Sequence, residues 1–107
     1  MRGWIGVDLD GTLAQYGGWK GPDHIGAPIM PMVRRVTAWL ATGQEVRIFT
    51  ARASMPEQVP PIHAWCLTHI GLVLPVTNVK DFGMIELWDD RCVRVIANVG
   101  ERCCEKP

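Results

Sequence analysis

The apolar run Trp4-Ile5-Gly6-Val7 stops abruptly at Asp8-Leu9-Asp10-Gly11-Thr12. A short apolar run closed by a polar, glycine-bearing string is the pattern of a buried strand ending in a turn. Residues 15 to 28 hold Gly17, Gly18, Gly21, Gly26, Pro22 and Pro28, so the next stretch is predicted as loop. Pro31 suits the first turn of a helix. Met32, Val33, Val36, Trp39 and Leu40 then recur at helical spacing up to Gly43, where a left-handed residue would end it. Glu45 to Thr50 reads as a second strand. Pro60 and Pro61 open a second helix with Ile62, Trp65, Cys66 and Ile70 on its apolar face and Gly71 at its close. Leu72 to Val76 is predicted as a third strand, at a sheet edge because Pro75 has no N–H to give. Met84 to Trp88 is a fourth, ending at Asp89-Asp90, and Val93 to Ala97 a fifth.

Strands alternating with helices make a parallel sheet with helical crossovers. The expected architecture is a single α/β, Rossmann-like three-layer domain with a mostly parallel sheet of about five strands and no cap domain. Asp89 to Cys92 is too short for a parallel crossover, so the fifth strand should be an antiparallel partner or an edge piece. The 107 residues are enough for one domain, placed at 1–97 with a flap loop at 13–29 and a C-terminal tail at 98–107.

Charge narrows the classes of partner. The chain has 11 Lys+Arg against 11 Asp+Glu, a formal net charge of zero, which argues against binding nucleic acid or membrane by bulk positive charge. A nucleic-acid end reached by a few contacts remains open. The longest apolar run, Ile70 to Val76, is broken by Gly71 and Pro75, so no membrane span is expected. Asp8 and Asp10 interrupt the N-terminal apolar stretch before it could serve as a signal-peptide core. The 4 cysteines form no C-x-x-C pair and read as reduced thiols of a cytoplasmic protein. His63, Cys66 and His69 fan across about 120° of a helix and do not converge on one ion, so Cys66 is assigned to the core. Trp4, Trp39, Trp65 and Trp88 are also read as core. Trp19 is expected to pack against the sheet edge, the alternative being a flap tip that stacks on a ring. Glu86 is a misfit in an apolar strand; it points to an exposed sheet face or to a dimer contact, which leaves room for a homo-oligomer.

The chemistry lies at the strand ends. Residues two apart in an extended chain face the same way, so Asp8 and Asp10 can serve one site while Leu9 packs elsewhere. Open α/β sheets bind ligands at the carboxyl ends of their strands. If strands one and four are parallel, Asp89 and Asp90 join the first pair there. Like charges so packed require a proton or a cation, and oxygen ligands without His or Cys select a hard ion, foremost Mg²⁺. Strand two ends in Phe49-Thr50-Ala51-Arg52, and Lys80 stands before strand four. A hydroxyl, an ammonium and a metal ion around a carboxylate nucleophile are the requirements of phosphoryl transfer.

Asp8-Leu9-Asp10-Gly11-Thr12, Thr50, Lys80 and Asp89-Asp90, in this order and at these strand ends, resemble the four motifs of the haloacid dehalogenase superfamily of phosphohydrolases. The resemblance runs from about Trp4 to Ala97. Thr50-Ala51-Arg52 and Trp88-Asp89-Asp90-Arg91 also resemble the phosphatase half of polynucleotide kinase and the small stand-alone phosphatases akin to it. The resemblance implies that Asp8 is the nucleophile and Asp10 the acid and base, its backbone carbonyl also a metal ligand. It implies that Thr50 hydrogen-bonds the phosphoryl group and that Lys80 stabilises its charge. Asp8, Asp10, Asp89 and Asp90 would hold Mg²⁺, and Gly11, Thr12, Ala51 and Arg52 would bind the substrate.

Neither residues 13 to 29 nor 51 to 60 can form a separate cap, so the site should be open and suit a large substrate, a covering partner or loose selectivity. The expected activity is hydrolysis of a phosphomonoester, with a nucleotide or nucleic-acid end as the leading substrate. The alternatives are a general small-metabolite phosphatase and a phospho-ligand binding or regulatory module that barely turns over. Asp10 discriminates, because a binding module needs no acid and base there.

Overall fold

The computed structural model describes residues 3–103. The chain runs β1 (Trp4–Val7), α1 (Met30–Ala41), β2 (Glu45–Phe49), α2 (Val59–His69), β3 (Val76–Thr77) and β4 (Met84–Trp88). Short 3-10 turns at Ala51–Ser54 and Pro56–Gln58 join β2 to α2. The strands form one sheet in the order β3-β2-β1-β4, and every neighbouring pair is parallel.

Local sequence explains the helices. In α1 a proline occupies the first turn, where its missing N–H is no loss, and Met32, Val33 and Val36 form the buried stripe. Gly43 closes it with φ +86°, in the left-handed region that glycine enters without a Cβ clash. Prolines also open α2, which buries Ile62, Trp65 and Cys66. Burial pushes the Cys66 thiol up to about 11, so it is an inert core group. His69 sets its ring against Trp65 at 4.7 Å, tilted by 53°.

Ile5 and Val7 of β1, with Val46 and Ile48 of β2, form a single core with Met32, Val33 and Val36 of α1 and Ile62, Trp65 and Cys66 of α2. Alternation along the strands puts these four residues on one face, so both helices cover that face. The predicted third layer is absent among the described residues. The reason is topological: two right-handed crossovers moving the same way along a sheet leave their helices on the same side. The return from β3 to β4 is made by residues 78–83 alone, too few to hold a helix. On the other face Trp4 is buried without a helix over it. Its ring lies beside Phe49 at 6.4 Å and under the Arg47 guanidinium at 4.4 Å. Its indole N–H donates to Asp81 at 2.8 Å, which holds that carboxyl below the usual range.

Two further expectations change. The third strand is only Val76–Thr77, at the sheet edge as Pro75 suggested; the Pro75 carbonyl accepts from the Ile48 N–H at 2.8 Å. The fifth strand does not join the sheet, which has four strands among the described residues. Val95 instead bridges Arg102 antiparallel, with Ile96 N donating to Glu101 O at 2.8 Å and Cys103 N to Arg94 O at 2.8 Å. The predicted strand and the start of the predicted tail therefore close on each other as a small hairpin. Asn98 at φ +65° and Gly100 at φ +85° turn it. Residues 104–107 of that tail, including Cys104, lie outside the described residues.

Glu86 is explained by its place on β4, an edge strand. Its carboxylate is exposed, on the same face as the helices, and accepts from the Trp88 indole at 3.0 Å. A charge there also discourages pairing of the edge with another chain. No helix among the described residues is long and apolar enough to cross a membrane.

Candidate active site

The turn after β1 is fixed by its apolar members. Leu9, Leu13 and Ala14 are fully buried, and the Leu9 carbonyl accepts from Leu13 N at 3.0 Å and Ala14 N at 2.8 Å. With Leu9 anchored inward, Asp8 and Asp10 both face the cavity at the carboxyl ends of the strands, as the two-residue spacing predicted. Asp8 N donates to Trp88 O at 2.9 Å, which extends the β1–β4 pairing by one step and carries Asp8 up to Asp89-Asp90.

Carboxylate oxygens of Asp8, Asp89 and Asp90 lie within 4.8 Å of one another. Burial and the neighbouring Asp89 and Asp90 carboxylates together push the Asp8 carboxyl up to about 7. Such a cluster needs a proton or a cation. Three carboxylate oxygens gathered this closely could hold a hard divalent ion if they drew in toward it, since oxygen ligands suit such ions. Thr12 ties the two strand ends together. Its hydroxyl accepts from Asp90 N at 3.0 Å and can donate to Asp90 Oδ1 at 3.1 Å or to Asp8 Oδ2 at 3.4 Å.

Gly11 is needed twice over. Its φ is +92°, and a Cβ built there would lie 2.8 Å from Asp90 Oδ2. Only a residue without a side chain both makes this turn and lets Asp90 close over it.

Asp10 does not join the carboxylate cluster through its side chain. The Arg52 guanidinium takes both its oxygens, Nε to Oδ2 at 2.8 Å and Nη2 to Oδ1 at 2.9 Å. Arg52 is 6% exposed, far from the surface charge that a residue of its type usually is. Thr50, also buried, caps the Ala51–Ser54 turn by accepting from Arg52 N at 3.2 Å, which leaves its own proton to donate toward the cavity. Ala51 lines the cavity as well.

Lys80 lies elsewhere. It is exposed and lines a separate hollow with Asp81 and Phe82, while Asn78 takes the position on the cavity wall next to β3. The short return explains this. Residues 78–83 must run from the carboxyl end of β3 to the amino end of β4, and Asp81 already bonds Trp4 at the foot of β1.

The cavity is about 660 Å³, and several of its walls were not singled out from sequence. Phe49, Ser54, Asn78 and Arg91 line it, as does Tyr16 of the flap. Arg91 closes the Trp88-Asp89-Asp90-Arg91 string, which assigned it no role, and Asn78 sits just past the third strand; those positions are the signal the sequence offers. Trp19 is 54% exposed and also lines the cavity, its ring 4.9 Å from the Arg52 guanidinium carbon. It sits at the flap tip over Arg52 and is not packed against the sheet edge as expected.

Compared with protein-family models, curated proteins and solved structures, the chain gives no significant match.

Proposed function

We propose that the protein is a capless, Mg²⁺-dependent phosphohydrolase on the haloacid dehalogenase plan, cleaving a phosphomonoester through an aspartyl-phosphate. One observation carries the reading: Asp8 from the end of β1 meets Asp89 and Asp90 from the end of β4 with oxygens within 4.8 Å. Carboxylates gathered from two distant segments at the carboxyl edge of a parallel sheet serve a cation and its phosphate ligand better than they serve stability.

In this reading Asp8, Asp89 and Asp90 hold Mg²⁺, with the Asp10 carbonyl as a further ligand. When bound, the ion neutralises charge on Asp8 and on the phosphate oxygens. Asp8 Oδ attacks phosphorus in line, the bond to the leaving oxygen breaks, and Asp10 gives that oxygen its proton. Asp10 then takes a proton from the water that attacks the aspartyl-phosphate, releasing inorganic phosphate and restoring the Asp8 carboxylate. Thr50 donates to a phosphoryl oxygen, the Gly11-Thr12 turn shapes the site, and Arg91, which lines the cavity and makes no ion pair among the described residues, meets the substrate. The aromatic rings of Tyr16, Trp19 and Phe49 around the cavity favour a nucleotide or nucleic-acid end phosphate over a small aliphatic ester. A cytoplasmic setting suits the reduced thiols.

A second reading, a phospho-ligand binding module, draws on Lys80 standing outside the cavity and on Arg52 occupying both Asp10 oxygens. Turnover of p-nitrophenyl phosphate separates the two. The enzyme reading expects hydrolysis that requires Mg²⁺ and is abolished by Asp8→Asn. Tight phosphate binding without turnover favours the module, and turnover that survives EDTA or Asp8→Asn excludes the mechanism.

A further inference from the structure

The Arg52 guanidinium has five N–H groups, and four of them are committed. Two go to the Asp10 carboxylate at 2.8 and 2.9 Å. The other two reach the flap, Nη2 to His24 O at 3.0 Å and Nη1 to Pro22 O at 3.3 Å. The Trp19 ring covers the same group at 4.9 Å. One N–H on Nη1 remains. A bidentate grip on a phosphate would have to release either Asp10 or the flap, and a buried guanidinium parts with its partners at considerable cost.

The flap itself is held unevenly. Its two arms are closed on each other at the base by Gln15 N to Ala27 O at 2.8 Å and Ile29 N to Leu13 O at 2.8 Å, and Trp65 Nε1 ties the base to the body through Gly26 O at 2.9 Å. Between residues 16 and 25 the hydrogen bonds to the body, among the described residues, are the two that Arg52 makes. Ile25 packs against the core at the end of this span; the residue that aims Asp10 is thus also the one whose hydrogen bonds hold the rest of the distal flap down.

We propose that Arg52 is a positioning residue that couples flap closure to the orientation of Asp10, and not a ligand of the substrate phosphate. The part concerning Asp10 rests on the phosphohydrolase reading; the part concerning the flap does not. With the flap seated, Asp10 is held in one orientation over the cavity. When the flap lifts, the guanidinium loses two carbonyls and the aromatic ring, and Asp10 loses its fixed partner.

Arg52→Lys keeps the charge and removes the planar fork, and Trp19→Leu loosens the flap without touching the ion pair. Two readouts are followed on protein shown to be folded by its melting curve. The first is tryptic cleavage after Lys20, an exposed residue of the flap tip. Both variants should be nicked there about tenfold faster than the wild type, because cleavage follows the population of the opened loop. The second is the leaving-group dependence of kcat. A misplaced acid harms alkyl phosphates, whose leaving oxygen needs a proton, more than p-nitrophenyl phosphate, so Arg52→Lys should lower kcat for the alkyl ester by about tenfold more while KM shifts little. Unchanged Lys20 cleavage in Arg52→Lys overturns the coupling whether or not the protein is a phosphatase. A KM raised equally for both esters at constant kcat overturns it in favour of a phosphate ligand. Absence of all turnover in the wild type sinks the phosphohydrolase reading and leaves the flap half to stand or fall on proteolysis.

Discussion

Replacing Asp8 by Asn should stabilise the metal-free protein. Asp8 is held at about 7 against an ordinary 3.8, chiefly by burial and then by the Asp89 and Asp90 carboxylates. A carboxyl whose pKa is raised on folding favours the folded state when protonated; that contribution is lost as pH rises from about 4 to about 7, and above that range the penalty is complete. A shift of this size sets a ceiling of about 4 kcal/mol on the penalty at pH 8, at about 1.4 kcal/mol per pH unit. Asp8 is only half-buried, and solvent screening brings the expected effect to roughly 1–2 kcal/mol. Asn fits the same space, and its amide can donate to Asp90 where Asp8 must share a proton. For a domain of this size the gain corresponds to a melting point roughly 5–15 °C higher. The assay is thermal unfolding of both proteins in EDTA between pH 5 and 8. The difference should be near its full value at pH 8 and shrink as pH falls, and added Mg²⁺ should raise the wild type more than the variant. An Asp8→Asn protein that melts at or below the wild type throughout that range would refute the reasoning.

Other perturbations follow from the same geometry. Gly11→Ala forces a Cβ into a positive-φ turn and against Asp90, so it should cost roughly 1–3 kcal/mol of stability and weaken Mg²⁺ binding, read by denaturant unfolding and by calorimetric titration. Lys80→Ala removes a side chain that stands outside the cavity, so p-nitrophenyl phosphate turnover should stay within about threefold of wild type; a loss above about a hundredfold would contradict its position. Trp65→Phe strips the Gly26 carbonyl of its indole donor and should destabilise the fold by roughly 1–3 kcal/mol, measured by urea unfolding.

Much of this arrangement is legible in the chain because it depends on local pattern. The β1 run, the proline-started helices and their closing glycines reflect short-range preferences, and the structure follows them almost residue by residue. The carboxylates were legible for a similar reason: Leu9 is apolar between two acids, and burying it turns both acids outward together. What sequence could not supply is set by distance across the fold. Whether Lys80 reaches the site depends on how far residues 78–83 must travel between two sheet edges, and Asp81 is captured by Trp4 before the chain can turn back. The apolar segment at Val93–Ala97 looks like a strand, yet its partner is residues 101–103 and not the sheet. Arg52 reads from the sequence as a substrate contact; only the folded flap reveals the carbonyls around it. Trp19 likewise finds its role through Arg52, a partner more than thirty residues away in sequence.

The central claim concerns one oxygen atom and one phosphorus. Mass spectrometry of the protein quenched in acid during turnover of a phosphomonoester with Mg²⁺ should find one phosphoryl group on the peptide carrying Asp8, lost on hydroxylamine treatment and absent from Asp8→Asn. Sustained turnover with no label on that peptide, or with the label on another side chain, would contradict the account.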